Sequence, residues 1–293
     1  MTSPRLFVFG PGYSARAFAD ALRAEGWRVA ATCRNEEKRA ALEADGIEAF
    51  LFDRGRPLAD AKAALDGTTH LLVSVPPDQK GDPVLDHHAR ELADLRTLDW
   101  GGYLSTTGVY GDTKGEWVSE AAWLKPTGDR QKRRVEAERG WLGLYRHYGV
   151  PMHLFRLGGI YGPGRSAIDS VRDGTAKRVD KPGQVFCRIH VADITATLRA
   201  SMAKPTLGAI YNVTDDLPSP SHEVVAYACR LLGVEPPPLV PFDQAEMTPM
   251  AASFYADCRR VKNDRIKRQL GVTLAYPDYR AGLDAQLAAE RAG

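Results

Sequence analysis

A short apolar run followed at once by a glycine turn, near the start of the chain, constrains the fold more than any other feature. Leu6–Phe9 predicts a buried strand, and Gly10-Pro11-Gly12 follows it directly. From Ser14 onwards apolar residues recur three or four positions apart, which is typical of a helix. A strand, a Gly-x-Gly turn and a helix start together predict a dinucleotide-binding corner.

The residues of this corner have separate physical roles. Gly10 permits the turn, Gly12 leaves room for a pyrophosphate beside the backbone, and Ala15 permits close packing of the helix on the strand. The helix N-terminus supplies N–H groups and the positive end of a helix dipole. We therefore expect a cofactor to contact the following residues: Gly10, Gly12, Tyr13, Ser14 and Ala15. A purely structural turn is the alternative.

The composition is that of an ordinary globular chain. With 293 residues, 44% hydrophobic and 26% charged, the chain is long enough for one large domain or slightly more. The net charge of +2 is too small to indicate nucleic-acid or membrane binding, and no apolar stretch is long enough to cross a bilayer. The cysteines lie far apart and the N-terminal apolar run is too short for a signal peptide, which favours a cytoplasmic protein without a metal site.

Four more apolar runs alternate with helical patterns and predict further strands. They cover residues 27–33, 47–52, 69–75 and 102–105. This βαβ alternation predicts an α/β, Rossmann-type, doubly wound parallel sheet, whose ligands bind outside the carboxyl ends of the strands. We expect an NAD(P)-binding Rossmann domain over residues 1–160, completed by about 186–214, and a smaller C-terminal substrate lobe over 161–185 and 215–293.

The strand ends predict which nucleotide binds. Arg34 ends the second strand, where an acidic residue would accept hydrogen bonds from the ribose of NAD and repel a 2′-phosphate. A guanidinium there favours NADP over NAD; a solvated helix start is the alternative. Asp53 ends the third strand and is placed to accept from an adenine amino group. After the fourth strand, Ser74, Val75 and Pro76 are expected to line the cofactor.

Four further stretches carry recognisable motifs. They are Ser105–Gly111, Leu154–Arg165, Arg188–Ile194 and Ile210–Val213. In their order and spacing they resemble the extended short-chain dehydrogenase/reductases, the NAD-dependent epimerase/dehydratase family, over nearly the whole chain. The resemblance implies a nicotinamide cofactor and oxidoreductase or epimerase/dehydratase activity on a small organic or sugar-type substrate.

The resemblance also implies catalytic positions, which this chain fills in an atypical way. The hydroxyl that orients the substrate oxygen corresponds to Thr106, which we also expect to contact the cofactor. The family's Tyr-x-x-x-Lys dyad falls on Arg130 and Arg134, in a register that aligns Glu138 with a family Glu. The helical Asn of the family falls on Asp86. Because a guanidinium stays protonated at any working pH, Arg130 does not serve as the acid/base, whereas Arg134 can hold a ribose or phosphate.

Two hypotheses of function follow from the replaced dyad. In the first, the protein is an active enzyme whose acid/base is one of these other groups: Tyr110, Tyr161, His190, Asp86 or Tyr255. A packing or structural role is the alternative for the two Tyr-Gly turns and for His190. In the second, the protein binds NADP without turnover, as a redox sensor or scaffold.

The partners expected from the sequence are few. A small-molecule substrate is expected, with Arg259 or Arg260 as candidates for an anionic one; surface charges are the alternative for both. The basic segment 130–139 also contains Glu136 and Glu138 and lacks interleaved aromatic residues, so a solvated helix face is favoured over nucleic-acid binding. We expect a homodimer that pairs this helix across a two-fold axis.

Overall fold

The computed structural model describes residues 3–292, which divide into two compact units. Unit 1 comprises the residues up to Thr106 together with Gly128–Arg156 and Leu198–Tyr211. Unit 2 comprises Thr107–Thr127, Leu157–Thr197 and the residues from Asn212 onwards. Residues 107–127 and 186–197, which the sequence assigns to the nucleotide-binding domain, thus fall in unit 2.

The elements follow one another in the alternating order that the sequence predicts. The strands are β1 Arg5–Phe9, β2 Arg28–Cys33, β3 Glu48–Leu51, β4 His70–Val73, β5 Trp100–Thr106, β6 Trp117–Val118, β7 Met152–Leu157, β8 Gly159–Tyr161, β9 Arg178–Asp180, β10 Arg188–His190, β11 Ile210–Val213, β12 Leu239–Pro241 and β13 Arg260–Val261. The α-helices are α1 Tyr13–Arg23, α2 Glu36–Ala44, α3 Ala61–Leu65, α4 Pro83–Ala93, α5 Asp129–Tyr148, α6 Ala167–Arg172, α7 Val191–Ala203, α8 Ser221–Leu232, α9 Pro249–Tyr255 and α10 Tyr279–Ala292. A π-helical turn covers Ile266–Leu270.

The central sheet confirms the predicted doubly wound architecture. Within residues 3–292 it has seven parallel strands in the order β11-β7-β5-β4-β1-β2-β3. Leu6 of β1 pairs with Val29 on one side and with His70 on the other. The chain moves outwards from β1 to β3 and then returns to place β4 on the other side of β1. The carboxyl ends of β1 and β4 therefore form the topological switch point, where ligands bind in such sheets.

The core of unit 1 explains why these strands are continuously apolar. All five residues of β1 are buried, as expected for a parallel strand with helices on both faces. Trp100, Tyr103 and Trp141 are among its largest fully buried side chains. The fourth strand ends at Val73, two residues earlier than predicted, and the fifth begins at Trp100, two residues earlier than predicted.

Unit 2 has its own, smaller core. Ile168 of α6, Val224 of α8 and Leu283 of α10 belong to one buried apolar cluster. Leu283 and Leu287 of α10 are both buried in the same cluster, so the last helix packs against unit 2. Short parallel strand pairs, β8–β10, β9–β12 and β6–β13, connect the loops. None of the helices within residues 3–292 combines the length and the apolarity that a bilayer span requires.

Candidate nucleotide site and replaced catalytic positions

The turn between β1 and α1 contains a glycine in the left-handed backbone conformation. Gly10 has a φ of +74°, a conformation that favours glycine, and its N–H donates to Thr32 Oγ1 at 3.0 Å. A Cβ added to Gly10 would lie 2.8 Å from Val75 Cγ2. Both the backbone conformation and the close approach of Val75, two residues after β4, therefore require glycine at this position.

Gly12 has a different reason to lack a side chain. It is the N-cap of α1, with φ −77° and ψ −174°, which other residues adopt without strain. A Cβ added there would meet no atom within 4 Å, so the protein's own packing does not require glycine. The open space is consistent with a ligand that approaches the backbone closely.

The N-terminus of α1 has free space and charge properties that suit an anion. No side chain caps it, and its first turn contains no acidic residue. The buried Ser14 Oγ makes no hydrogen bond within the described residues, although buried polar groups are normally satisfied. Free space over Gly12, an uncapped helix end and an unsatisfied hydroxyl fit the pyrophosphate of a dinucleotide.

The ends of β2 and β3 bring two arginines together. Arg34 is exposed directly after β2, and its carbonyl oxygen accepts a hydrogen bond of 2.6 Å from Arg56 Nη2. Arg56 also forms an ion pair of 3.2 Å with Asp53, whose other oxygen accepts from Gly55 N–H at 2.8 Å. The carboxylate of Asp53 is thus already engaged in its own turn, and the neighbourhood of Arg34 holds a second cation that the sequence analysis missed.

Two of the residues that follow β4, Ser74 and Val75, lie beside the glycine turn. Ser74 N–H donates to Phe9 O at 2.9 Å, and Val75 is the residue that approaches Gly10. Pro76 is exposed. Thr106, partly buried, is the last residue of β5, whose carboxyl end lies at the same edge of the parallel sheet.

Asp86, the predicted counterpart of the family's Asn, is engaged in an ion-pair cluster. It lies in the first turn of α4 and pairs with Arg54 Nη1. Arg54 also binds both oxygens of Asp78, at 2.7 and 3.0 Å, and the guanidinium lowers the pKa of Asp78. The Asp86 carboxylate therefore stabilises the turn from Asp78 to Gly81 together with α4.

The two arginines that replace the catalytic dyad have different surroundings. Arg130 is exposed in the first turn of α5. Arg134, one turn later, donates from Nη1 to Tyr103 Oη at 2.9 Å and to Leu104 O at 3.1 Å. Arg134 thus connects α5 to β5, and both of these hydrogen bonds are donated by its Nη1.

Glu138, one turn after Arg134 on α5, forms a buried ion pair with Arg156 that the sequence analysis did not predict. Glu138 accepts from Arg156 Nη2 at 2.7 Å and from Ser105 Oγ at 2.5 Å. The side chains of Glu138 and Arg156 are each only 3% exposed. The pair connects α5 with β5 and β7. A signal existed in the sequence for Arg156, which stands between apolar residues of β7, but none existed for Glu138, which lies in a charged segment.

The alternative acid/base candidates of unit 2 are buried and engaged. Tyr110 Oη donates to Asn212 Oδ1 at 2.6 Å, and Tyr161 Oη donates to Asp278 O at 3.1 Å. Burial raises the pKa of Tyr161 and lowers the pKa of His190 to about 4. His190 Nδ1 accepts from Ala192 N–H at 3.2 Å. These contacts are those of packing residues.

Tyr255 and the predicted anion-binding arginines are engaged in unit 2 as well. The Tyr255 ring packs edge-on against Phe186, and burial raises the pKa of its hydroxyl. Arg259 donates to Gly111 O at 2.7 Å and to Asp257 Oδ2 at 2.6 Å. Arg260 Nη1 donates to Gly115 O.

No cluster of three or more potential metal ligands occurs in the part of the chain that the structure describes.

Comparisons with known proteins identify relatives of similar length. No protein-family model matches the chain. Protein YeeZ of Escherichia coli K12 is 25% identical over 282 residues, which cover 94% of this chain and 97% of YeeZ. A conserved protein of unknown function from Silicibacter pomeroyi is 49% identical, with a TM-score of 0.90 over 98% of this chain and 99% of that one.

A third comparison decides the fold. The dTDP-glucose 4,6-dehydratase of Bacillus anthracis, solved in complex with NAD, has a TM-score of 0.74 over 99% of this chain and 97% of that one, at 16% identity. The chain has the fold of that dehydratase. It belongs to one family with the Silicibacter pomeroyi protein. The expected resemblance of fold is confirmed.

Proposed function

We propose that unit 1 binds a nicotinamide dinucleotide at the glycine turn, and NADP in preference to NAD. The observation that carries the proposal is the open space over Gly12 at the uncapped N-terminus of α1. The pyrophosphate would be held by the first N–H groups of α1 and by the Ser14 hydroxyl. The dehydratase of similar fold has NAD bound, which supports the cofactor class.

The preference for NADP rests on charge at the end of β2. An acidic residue that would repel a 2′-phosphate is absent from that position, which is occupied by Arg34, and Arg56 lies against the Arg34 carbonyl. Two guanidinium groups beside one phosphate position favour the phosphorylated ribose. Asp53 offsets part of this charge through its ion pair with Arg56.

The test is a fluorescence titration with NADPH and with NADH. We expect native protein to bind NADPH more tightly, and Arg34→Ala and Arg56→Ala each to weaken NADPH binding about tenfold or more while leaving NADH binding unchanged. Arg28→Ala, an exposed arginine at the opposite end of β2, is the matched control and leaves both affinities unchanged. A preference for NADH that persists in Arg34→Ala would refute the assignment of NADP.

The first proposed activity is that of an oxidoreductase or epimerase/dehydratase acting on a small organic or sugar-type substrate. The bound cofactor supplies hydride exchange at its nicotinamide ring. Thr106 would orient the substrate oxygen, and Arg134 would hold β5 in place through Tyr103 and Leu104. Steady NADPH oxidation with a panel of carbonyl compounds, abolished in Thr106→Ala, would support this activity.

The second proposed function is NADP binding without turnover, as a redox sensor or scaffold. The exposed, permanently charged Arg130 at the acid/base position favours it. Replacing Arg130 by Tyr and Arg134 by Lys separates the two functions. An enzyme with its own acid/base loses activity in that double variant, whereas a binding protein has no activity to lose and is unaffected in NADPH affinity.

We also propose a cytoplasmic location and a homodimer formed through α5, without a nucleic-acid or membrane partner. Light scattering that gives a monomer at micromolar concentration would exclude the dimer.

A further inference from the structure

One guanidinium connects two turns at the carboxyl edge of the sheet in unit 1. Arg54 stands in the turn after β3, and its Nε and Nη2 donate to the two carboxylate oxygens of Asp78, in the loop after β4, at 2.7 and 3.0 Å. Nη2 also donates to Gly81 O at 2.8 Å, and Nη1 pairs with Asp86 in the first turn of α4. The loop after β4 and α4 thus engage all three guanidinium nitrogens.

Each of the two turns is closed by its own backbone. Asp53 and Arg56 exchange two backbone hydrogen bonds, of 2.9 and 3.1 Å. Asp78 and Gly81 likewise exchange two, of 2.9 and 3.4 Å. Because each turn is closed in this way, a contact that holds one of its residues also restrains the others.

The strands that lead into these turns are not neighbours. β1 and β2 lie between β4 and β3 in the sheet. With adjacent strands about 4.8 Å apart, the ends of β3 and β4 are separated by about 14 Å. Strand pairing therefore does not hold the two turns together. Arg54 supplies the contact, and His87 of α4 adds a hydrogen bond of 2.9 Å from Nε2 to Arg54 O.

The turn that Arg54 restrains also carries Arg56. Arg56 Nη2 donates to Arg34 O at 2.6 Å, at the end of β2 where we propose the 2′-phosphate. The segment after β4 approaches the glycine turn, because Val75 lies against Gly10. Arg54 therefore connects the turn proposed to attract the 2′-phosphate with the segment beside the proposed pyrophosphate position.

The exposure and geometry of this cluster suit it to orient a turn. The side chains of Arg54, Asp78 and Asp86 are 26%, 41% and 43% exposed. Partly exposed ion pairs contribute modestly to stability, whereas a bidentate pair defines a direction as well as a distance. Arg54 can thus hold the turn after β3 in one orientation relative to the loop after β4.

We infer that Arg54 is a positioning residue for nucleotide specificity, which holds the Asp53–Arg56 turn so that the Arg56 guanidinium stays beside the end of β2. The inference rests on the proposed function and deepens it. Because the three guanidinium nitrogens of Arg54 already donate to protein oxygens, its role is to position Arg56 rather than to contact the phosphate.

The experiment measures the ratio of the NADH to the NADPH dissociation constant by fluorescence titration of the full chain. In Arg54→Met we expect this ratio to fall about 3- to 10-fold through weaker NADPH binding, with NADH binding unchanged. A general loosening of unit 1 weakens both nucleotides alike, so an unchanged ratio would overturn the inference. Arg16→Met is the matched control and keeps the native ratio, because Arg16 also bridges two carboxylates, those of Asp20 and Asp45, which belong to neither turn.

A second variant separates positioning from long-range charge. Arg54→Met removes a positive charge and Asp78→Ala removes a negative one, yet both break the bidentate contact. If Arg54 positions Arg56, the ratio falls in both variants. If Arg54 acts only through its charge, the ratio rises in Asp78→Ala, and that result would contradict the inference.

The Arg56→Ala background tests the route of the effect. Because Arg54 acts through Arg56, adding Arg54→Met to Arg56→Ala should lower the ratio no further, and additive losses would exclude this route. Asp78→Ala decides the question if Arg54→Met does not fold. A native chain that binds neither nucleotide would refute the proposed function and the inference together. A native preference for NADPH that persists in Arg54→Met would refute the inference alone.

Discussion

Two alanine substitutions in the same turn separate a glycine needed for folding from a glycine needed for binding. At Gly10 an alanine would have to adopt φ +74° and place its Cβ 2.8 Å from Val75 Cγ2. The left-handed conformation costs roughly 1–2 kcal/mol and the overpacking roughly 1–3 kcal/mol. Gly10→Ala is therefore expected to lower the free energy of unfolding by about 2–5 kcal/mol.

Gly12→Ala is expected to leave the stability nearly unchanged and to weaken nucleotide binding. The added methyl group meets no protein atom within 4 Å, and the backbone is not in the left-handed region. The loss of unfolding free energy should be below about 1 kcal/mol, the scale of an N-cap change. The methyl group occupies the space that we assign to the pyrophosphate. Losing the N–H hydrogen bonds to that charged group would weaken NADPH about 10-fold or more.

The free energy of unfolding is measured by urea titration, with tryptophan fluorescence as the signal. The affinity for NADPH is measured by titration at a temperature where both variants are folded. Native-like NADPH affinity in Gly12→Ala would refute the assignment of the pyrophosphate to this turn. Equal destabilisation by the two substitutions would refute the explanation of the turn geometry.

Three further predictions concern stability. Glu138→Ala and Arg156→Ala should each cost about 3–5 kcal/mol in urea unfolding, and the double variant less than their sum, because a single substitution leaves a buried charge unpaired. Gly111→Ala should prevent stable folding, seen as loss of a cooperative thermal transition, since φ is +71° and the Cβ would lie 1.7 Å from Lys125 O. Burial raises the pKa of Asp215 to about 8, so the folded state holds its proton more tightly and stability falls as pH rises from about 4 to about 8, by at most about 1.4 kcal/mol per unit. Asp215→Asn should remove that part of the slope, and an unchanged pH dependence would contradict it.

Local patterns in the sequence were sufficient to predict the glycine turn between β1 and α1 and the parallel sheet. The strand before Gly10 and the helix after Gly12 are neighbours in the chain, so their geometry follows from local chemistry. The carboxyl ends of parallel strands share one edge, which brings Ser74 and Val75 beside the turn.

Contacts that depend on tertiary packing were missed. Arg56 reaches the Arg34 carbonyl because β2 pairs with β3, with Cys33 opposite Leu51, and the following turn folds back. The Glu138–Arg156 pair joins a helix to a strand, and neither residue identifies the other in the sequence.

The roles of the arginines on α5 also required the structure. Sequence alignment with the family motif locates Arg130 and Arg134 but does not show that Arg134 donates to β5 while Arg130 is exposed. Asp86 matches a catalytic position by spacing, yet Arg54, which comes from a distant loop, engages its carboxylate.

The most direct measurement is isothermal titration calorimetry of the native chain with NADPH and with NADH. Binding of one NADPH per chain, tighter than NADH, is the predicted result. If neither nucleotide released or absorbed heat over a range of temperatures, the glycine turn would not be a nicotinamide dinucleotide site.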